Sequence, residues 1–76
     1  MRRFKEKILE TSIEKLEASQ KTVLDVAKEE EESAERLPGN LKGSKKYDKM
    51  TEGADNLRCA ALQIYRAIDC IRKLLV

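Results

Sequence analysis

The 76-residue sequence contains no histidine and no tryptophan, and it has one proline, three glycines and two cysteines. Without histidine, neither a Ser-His nor a Cys-His catalytic arrangement can form. Two cysteines alone cannot complete an ordinary zinc site. The segment GNLKGS contains lysine and serine but lacks the strand and the spacing of a phosphate-binding P-loop. We therefore expect a protein that is not an enzyme and that takes no metal, cofactor or small-molecule substrate.

Long apolar runs and a strong charge of one sign are also missing. No apolar stretch approaches the length of a membrane span, and the first residues, MRRFKEKILE, lack the apolar core of a signal peptide. Sixteen basic and fourteen acidic side chains give a net charge of +2. This balance does not by itself indicate a nucleic-acid or acidic-membrane partner. We expect a cytoplasmic protein that does not act at a membrane.

The two cysteines, Cys59 and Cys70, are eleven residues apart. On one helix they would lie on nearly the same face, roughly 16 Å apart along the axis. A disulfide requires Cα atoms within about 7 Å, so these two cysteines cannot bridge each other. They are interpreted either as free thiols used as small apolar residues or as partners in a cross-chain disulfide or redox role.

The positions of glycine and proline divide the chain into two helical halves. No glycine or proline occurs from Phe4 to Arg36, and Gly53 is the single one after Ser44. Pro38 disfavours helical geometry at the residue before it, and Gly39 and Asn40 are suited to a left-handed turn. Ser44 is a good N-cap. These signals predict helices over about 4–34 and 44–75, joined by a bend over 35–43.

Apolar residues recur at alternating spacings of three and four in both halves, which is the pattern of a helix with one buried strip. When the two strips are laid antiparallel, one register matches nine layers, from Leu9 facing Leu75 to Leu37 facing Tyr47. We call these eighteen positions the seam. It comprises residues 9, 13, 16, 20, 23, 27, 30, 34 and 37 of the first half and 47, 50, 54, 57, 61, 64, 68, 71 and 75 of the second. The pattern predicts an all-α, coiled-coil-like antiparallel two-helix hairpin in a single domain.

Two further packing expectations follow from this register. Small residues precede several seam positions, and we interpret Gly53 as one that allows the two helix backbones to approach closely. At the bend, we expect Leu37 and Leu41 to close the end of the hairpin. We also expect the acids Glu31, Glu32 and Glu35 to be partly neutralised by the lysines Lys45, Lys46 and Lys49.

Several apolar residues lie off the seam, on more than one side of the second helix. A helix that is apolar around most of its circumference needs cover that a two-helix hairpin cannot supply. Dimerisation into a four-helix bundle or docking of a helical protein partner would cover them, whereas a scatter of harmless exposed side chains is the alternative. The candidate interface residues are Leu24, Cys59, Leu62, Tyr65 and Cys70.

The register leaves the first eight residues beyond the end of the second helix. This tip carries four basic residues, Arg2, Arg3, Lys5 and Lys7. It could contact nucleic acid, a membrane surface or an acidic protein, or it could be a solvated helix end. A nucleic-acid binder usually shows a denser basic stripe with aromatic stacking residues, which is not present here.

The bend combines an acidic helix end, an LP-x-x-L segment, a serine, a methionine and then a helix with apolar repeats. These features are Glu29 to Glu32, Leu37, Pro38, Leu41, Ser44 and Met50. In them the chain resembles a group of short bacterial and phage-associated helical-hairpin proteins of unknown function, over roughly its last fifty residues. The resemblance implies a hairpin and a bacterial or mobile-element origin, and it carries no established activity.

Overall fold

The computed structural model describes residues 3–76, which form an all-α antiparallel hairpin. Helix α1 spans Arg3–Glu35, a short 3-10 helix spans Gly39–Leu41, and helix α2 spans Lys45–Leu75. The all-α helical hairpin predicted from the apolar spacing is confirmed, and each helix end lies within one residue of the expected position.

The bend is built as predicted at its two ends but differs in the middle. Helix α1 ends at Glu35, just before Pro38. Ser44 caps α2, since its Oγ accepts a hydrogen bond from the backbone N–H of Tyr47 at 3.3 Å and donates one to the carbonyl of Leu41 at 2.6 Å. Gly39 and Asn40, which would accept a left-handed turn, do not form one: no residue within 3–76 has a positive φ. The 3-10 helix makes the reversal instead, with the N–H of Leu41 bonded to the carbonyl of Pro38 at 2.8 Å.

All eighteen seam residues are buried or half-buried. The polar seam residue Gln20 donates from its side-chain amide to the carbonyl of Ala61 on α2, at 3.4 Å. The most deeply buried residues are Ile13, Ala27, Ala34, Ala54, Ala61 and Ile68, and no large side chain among residues 3–76 is fully buried. Because four of these six are alanines, the hairpin has a thin core.

The hairpin is a rod rather than a globule, with dimensions of 59 × 14 × 14 Å. Its radius of gyration is 17.3 Å, against about 11 Å for a compact domain of this length. The chain of 8.7 kDa exposes 5989 Å², about 1,300 Å² more than the roughly 4,700 Å² typical of a folded monomer of that mass. The isolated hairpin therefore leaves an unusually large area in water.

Three sequence-based expectations about packing need correction. The acids at the end of α1 do not pair with Lys45, Lys46 and Lys49; instead the ion pairs are Glu31–Arg58, Glu32–Arg36 and Glu35–Lys42. Those three lysines lie beside Glu30 and Met50, so they border a different flank of the seam from Glu31.

Leu41 does not close the end of the hairpin as expected. It stays 41% exposed, because the 3-10 helix carries it outward, whereas Leu37 is half-buried. The packing interpretation of Gly53 is also wrong. Apart from the adjoining part of its own helix, a Cβ added there would meet no atom within 4 Å, because Gly53 lies on the flank of α2 rather than where the two backbones approach most closely.

Candidate interaction surface

Two cross-helix ion pairs define one broad face of the hairpin. Glu31 pairs with Arg58, and Glu17 pairs with Arg72. The two pairs are fourteen residues apart along each helix, which is about four helical turns. Both pairs therefore lie on the same side of the seam. Residues at the equivalent helical positions complete what we call the ion-paired face. Over six turns it comprises residues 10, 14, 17, 21, 24, 28 and 31 of α1 and 51, 55, 58, 62, 65, 69 and 72 of α2, and ten of these fourteen are charged.

The pair of Glu31 and Arg58 has the best geometry on this face. Arg58 donates from Nε to Oε2 at 2.8 Å and from Nη2 to Oε1 at 2.6 Å. These hydrogen bonds lower the pKa of Glu31 from its ordinary value of 4.5 and raise the pKa of Arg58. The two side chains are 39% and 48% exposed, so water screens their attraction and the pair orients the helices more than it stabilises them.

Three of the candidate interface residues lie between these ion pairs. Leu24 is seven residues before Glu31 and Tyr65 is seven after Arg58, so the same register sets them opposite each other. Leu24 is half-buried, Tyr65 is 54% exposed and Leu62, one turn away, is 47% exposed. These three residues form a small apolar island surrounded by charge.

The two cysteines lie apart from this island. Cys59 and Cys70 are both exposed free thiols on the outer side of α2. Cys59 lies at the outer edge of the helix, and Cys70 lies toward the side opposite the ion pairs. The five candidate interface residues therefore do not form a single patch that one flat partner could cover.

The opposite flank of the seam contains few charges, and sequence reasoning did not identify it as a surface. Toward the bend this flank continues with Arg36, Lys46 and Lys49, but over six turns its fourteen positions are Ser12, Lys15, Ser19, Thr22, Val26, Glu29 and Ser33 of α1 and Gly53, Asn56, Ala60, Gln63, Ala67, Cys70 and Leu74 of α2. We call them the low-charge face. Two of the fourteen are charged, against ten on the ion-paired face, although 39% of all residues are charged. The sequence signal for this surface is the series of small residues beside the seam, which by themselves suggest close packing within the hairpin.

The open end of the hairpin combines basic and apolar side chains. Arg3, Lys5 and Lys7 are exposed, whereas Arg2 lies outside the described residues. Phe4 is 77% exposed and Ile8 is 50% exposed, and both lie beside Arg3 and Lys7. The predicted basic tip is thus an overhanging helical turn with an apolar side.

Within the described part of the chain, no three or more histidine, cysteine or acidic residues come together as a metal site would require. No helix formed by these residues is long and apolar enough to cross a membrane.

Comparison with family models, curated proteins and solved structures finds no match to this chain. The resemblance at the bend, and the bacterial or phage origin that it implies, stay predictions.

Proposed function

We propose that this protein is a small, non-enzymatic interaction or scaffold module that associates with itself through its helix faces, as a homodimer with the form of a four-helix bundle. The exposed area carries this proposal. An excess of about 1,300 Å² per chain over a compact monomer exceeds the roughly 800 Å² that one partner buries in a standard interface.

The thin core supports the same conclusion. A chain of this size is only marginally stable unless it is stapled, oligomeric or very well packed. Alanine supplies four of the six buried residues, and the two free thiols make no staple within the chain. A second hairpin would add apolar burial without requiring any further element.

Sedimentation equilibrium over a wide concentration range, with and without reductant, tests the proposal. We expect a mass of twice 8.7 kDa in both conditions, because the proposed contact is not a disulfide. A chain that remains an 8.7 kDa monomer and stays stable at millimolar concentration would overturn it.

A second candidate function is association with nucleic acid through the basic tip. It is favoured by one observation: Arg3, Lys5 and Lys7 are exposed, and none of them forms an ion pair with another residue of the 3–76 segment. Binding of this kind weakens steeply as salt is raised. It should be lost when Arg2, Arg3, Lys5 and Lys7 are neutralised together, and absence of DNA and RNA binding at low salt would exclude it.

A further inference from the structure

We infer that the low-charge face is the surface on which a second copy of this chain docks, turned end over end so that α1 lies on α1 and α2 lies on α2. This inference rests on the proposed self-association and specifies its surface and its geometry. Three observations carry it: the exposed side chains of that face, an unexplained glycine, and the placement of its two charges.

The low-charge face is exposed, and burying it would remove few charged groups from water. Val26 is 40% exposed and Leu74 is 61% exposed, and Ala60, Ala67 and Cys70 are exposed as well. Twelve of its fourteen residues are uncharged. Burying such a face removes few hydrated charges, whereas burying the ion-paired face would strip water from ten charged side chains.

The two charges of the face are self-complementary about one point. Lys15 and Glu29 are seven residues on either side of Thr22, and neither forms an ion pair within the described chain. When α1 lies antiparallel on α1 of the second copy with Thr22 at the two-fold axis, Lys15 of each copy meets Glu29 of the other. The dimer then contains two Lys15–Glu29 pairs, and no charge of this face is unpaired.

Helix α2 has the same centre. Its seven residues on the low-charge face are all uncharged and run from Gly53 to Leu74, with their midpoint between Gln63 and Ile64. The seam register sets Gln20 against Ile64 and Val23 against Ala61, so the midpoints on the two helices differ by about two residues, or roughly 3 Å. One two-fold axis therefore serves both helices.

The same axis accounts for Gly53. A glycine inside a helix is unfavourable relative to alanine, and nothing within the hairpin lies within 4 Å of where its Cβ would be. In the antiparallel pair, Gly53 lies opposite Leu74 of the second copy, the most exposed leucine of the described chain. Ala60 then lies opposite Ala67, which lets the two α2 helices approach closely.

Other arrangements fit less well. If the two low-charge faces met about a two-fold axis parallel to the helices, α1 of each copy would face α2 of the other. Lys15 would then meet the region of Cys70, Glu29 would meet the region of Asn56, and both charges would be unpaired. If the copies met through the ion-paired face in the antiparallel sense, Glu14 could meet Lys28, but Lys21 at the centre of that stretch would face itself.

Charge reversal tests the inference. We expect Lys15→Glu alone and Glu29→Lys alone each to raise the dimer Kd about tenfold, because each places two pairs of like charge in the contact. The double variant should restore the Kd to the wild-type value. An equimolar mixture of the two single variants should form a heterodimer, since both pairs then attract. Sedimentation velocity gives the Kd, and native mass spectrometry gives the composition of the mixture.

Glu14→Lys and Lys28→Glu are the matched control, because they have the same fourteen-residue spacing, are also exposed and lie on the ion-paired face. Helical circular dichroism shows whether each variant still folds. If the wild type is a dimer and the control variants weaken it while the Lys15 and Glu29 variants do not, the docking face is wrong and the proposed function stands. If the wild type is a monomer, both are wrong.

Discussion

The two faces of this hairpin expose different kinds of side chain to water. The ion-paired face ties α1 to α2 with Glu31–Arg58 and Glu17–Arg72 across the seam. The low-charge face has no cross-helix ion pair among its described residues and exposes alanine, valine and leucine instead. The difference teaches that charge in this chain is distributed by side rather than by segment. One side is rich in hydrated charges, and the other is the side on which we propose that a second copy docks.

The seam holds both faces in place, so disrupting it should have the largest effect. Ile68 is 2% exposed, and we expect Ile68→Ala to cost about 2–4 kcal/mol in the free energy of unfolding. Leu62→Ala is the control, because Leu62 is 47% exposed and its loss should cost less than about 1 kcal/mol. Urea denaturation of both variants at one protein concentration makes the comparison. Equal costs would show that the seam is not the core.

Placing one new charge on each face should change the dimer Kd by very different amounts. Ala60 and Leu62 are two residues apart and both exposed, but they lie on opposite faces. Ala60→Glu would bury an unpaired carboxylate in the proposed dimer, and we expect the Kd to rise by about a hundredfold or more. Leu62→Glu should change it little. Analytical ultracentrifugation measures both variants, and the reverse order would place the contact on the ion-paired face.

The ion-paired face should be sensitive to acid. The pKa of Glu31 is lowered in the folded chain by its hydrogen bonds with Arg58. The pair therefore contributes stability that is present above the ordinary glutamate pKa of 4.5 and is lost as pH falls through the lowered value.

Arg58→Gln should remove this contribution and return the Glu31 pKa toward 4.5, which a carboxyl chemical-shift titration by NMR would record. An unchanged Glu31 titration would show that the pair does not persist in solution.

The smallest expected difference between the two sides is in the reaction rates of the two cysteine thiols. Both thiols are exposed in the single hairpin, but Cys70 lies on the low-charge face and Cys59 lies at the outer edge of α2. In the dimer, we expect Cys70 to react more slowly than Cys59 with a thiol reagent. The two rates should converge on dilution to a concentration at which the protein is monomeric. Equal rates at all concentrations would be inconsistent with burial of Cys70, and mass spectrometry after partial labelling distinguishes the two sites.

The amino-acid sequence was sufficient to predict the hairpin because two signals agreed. Apolar residues recur with one helical register from Leu9 to Leu75, and Pro38 and Ser44 mark the ends of the two helices. Local backbone rules identified those ends, and Ser44 caps α2 as predicted. The reversal between them was harder, because Gly39 and Asn40 allow a left-handed turn without requiring one.

The candidate surface was less accessible from the sequence. Which acid meets which base depends on the side of the seam that each helix presents, and Glu31 reaches Arg58 rather than a lysine nearer in sequence. Once that pair fixes the side, Ala60 and Ala67 on the other flank are seen to be exposed. The glycine at position 53 is not explained by a contact between the two helices, since a Cβ there would have open space.

The central claim is that two hairpins meet through the low-charge face, antiparallel, with Gln63 close to the two-fold axis. Its most direct test is cross-linking of a single cysteine introduced as Gln63→Cys, with Cys59→Ser and Cys70→Ser in the background and a short bismaleimide as reagent. The matched protein carries Leu62→Cys, one residue away on the ion-paired face. We predict efficient covalent dimer formation through position 63 and little through position 62. Cross-linking through position 62 but not 63 would contradict the account.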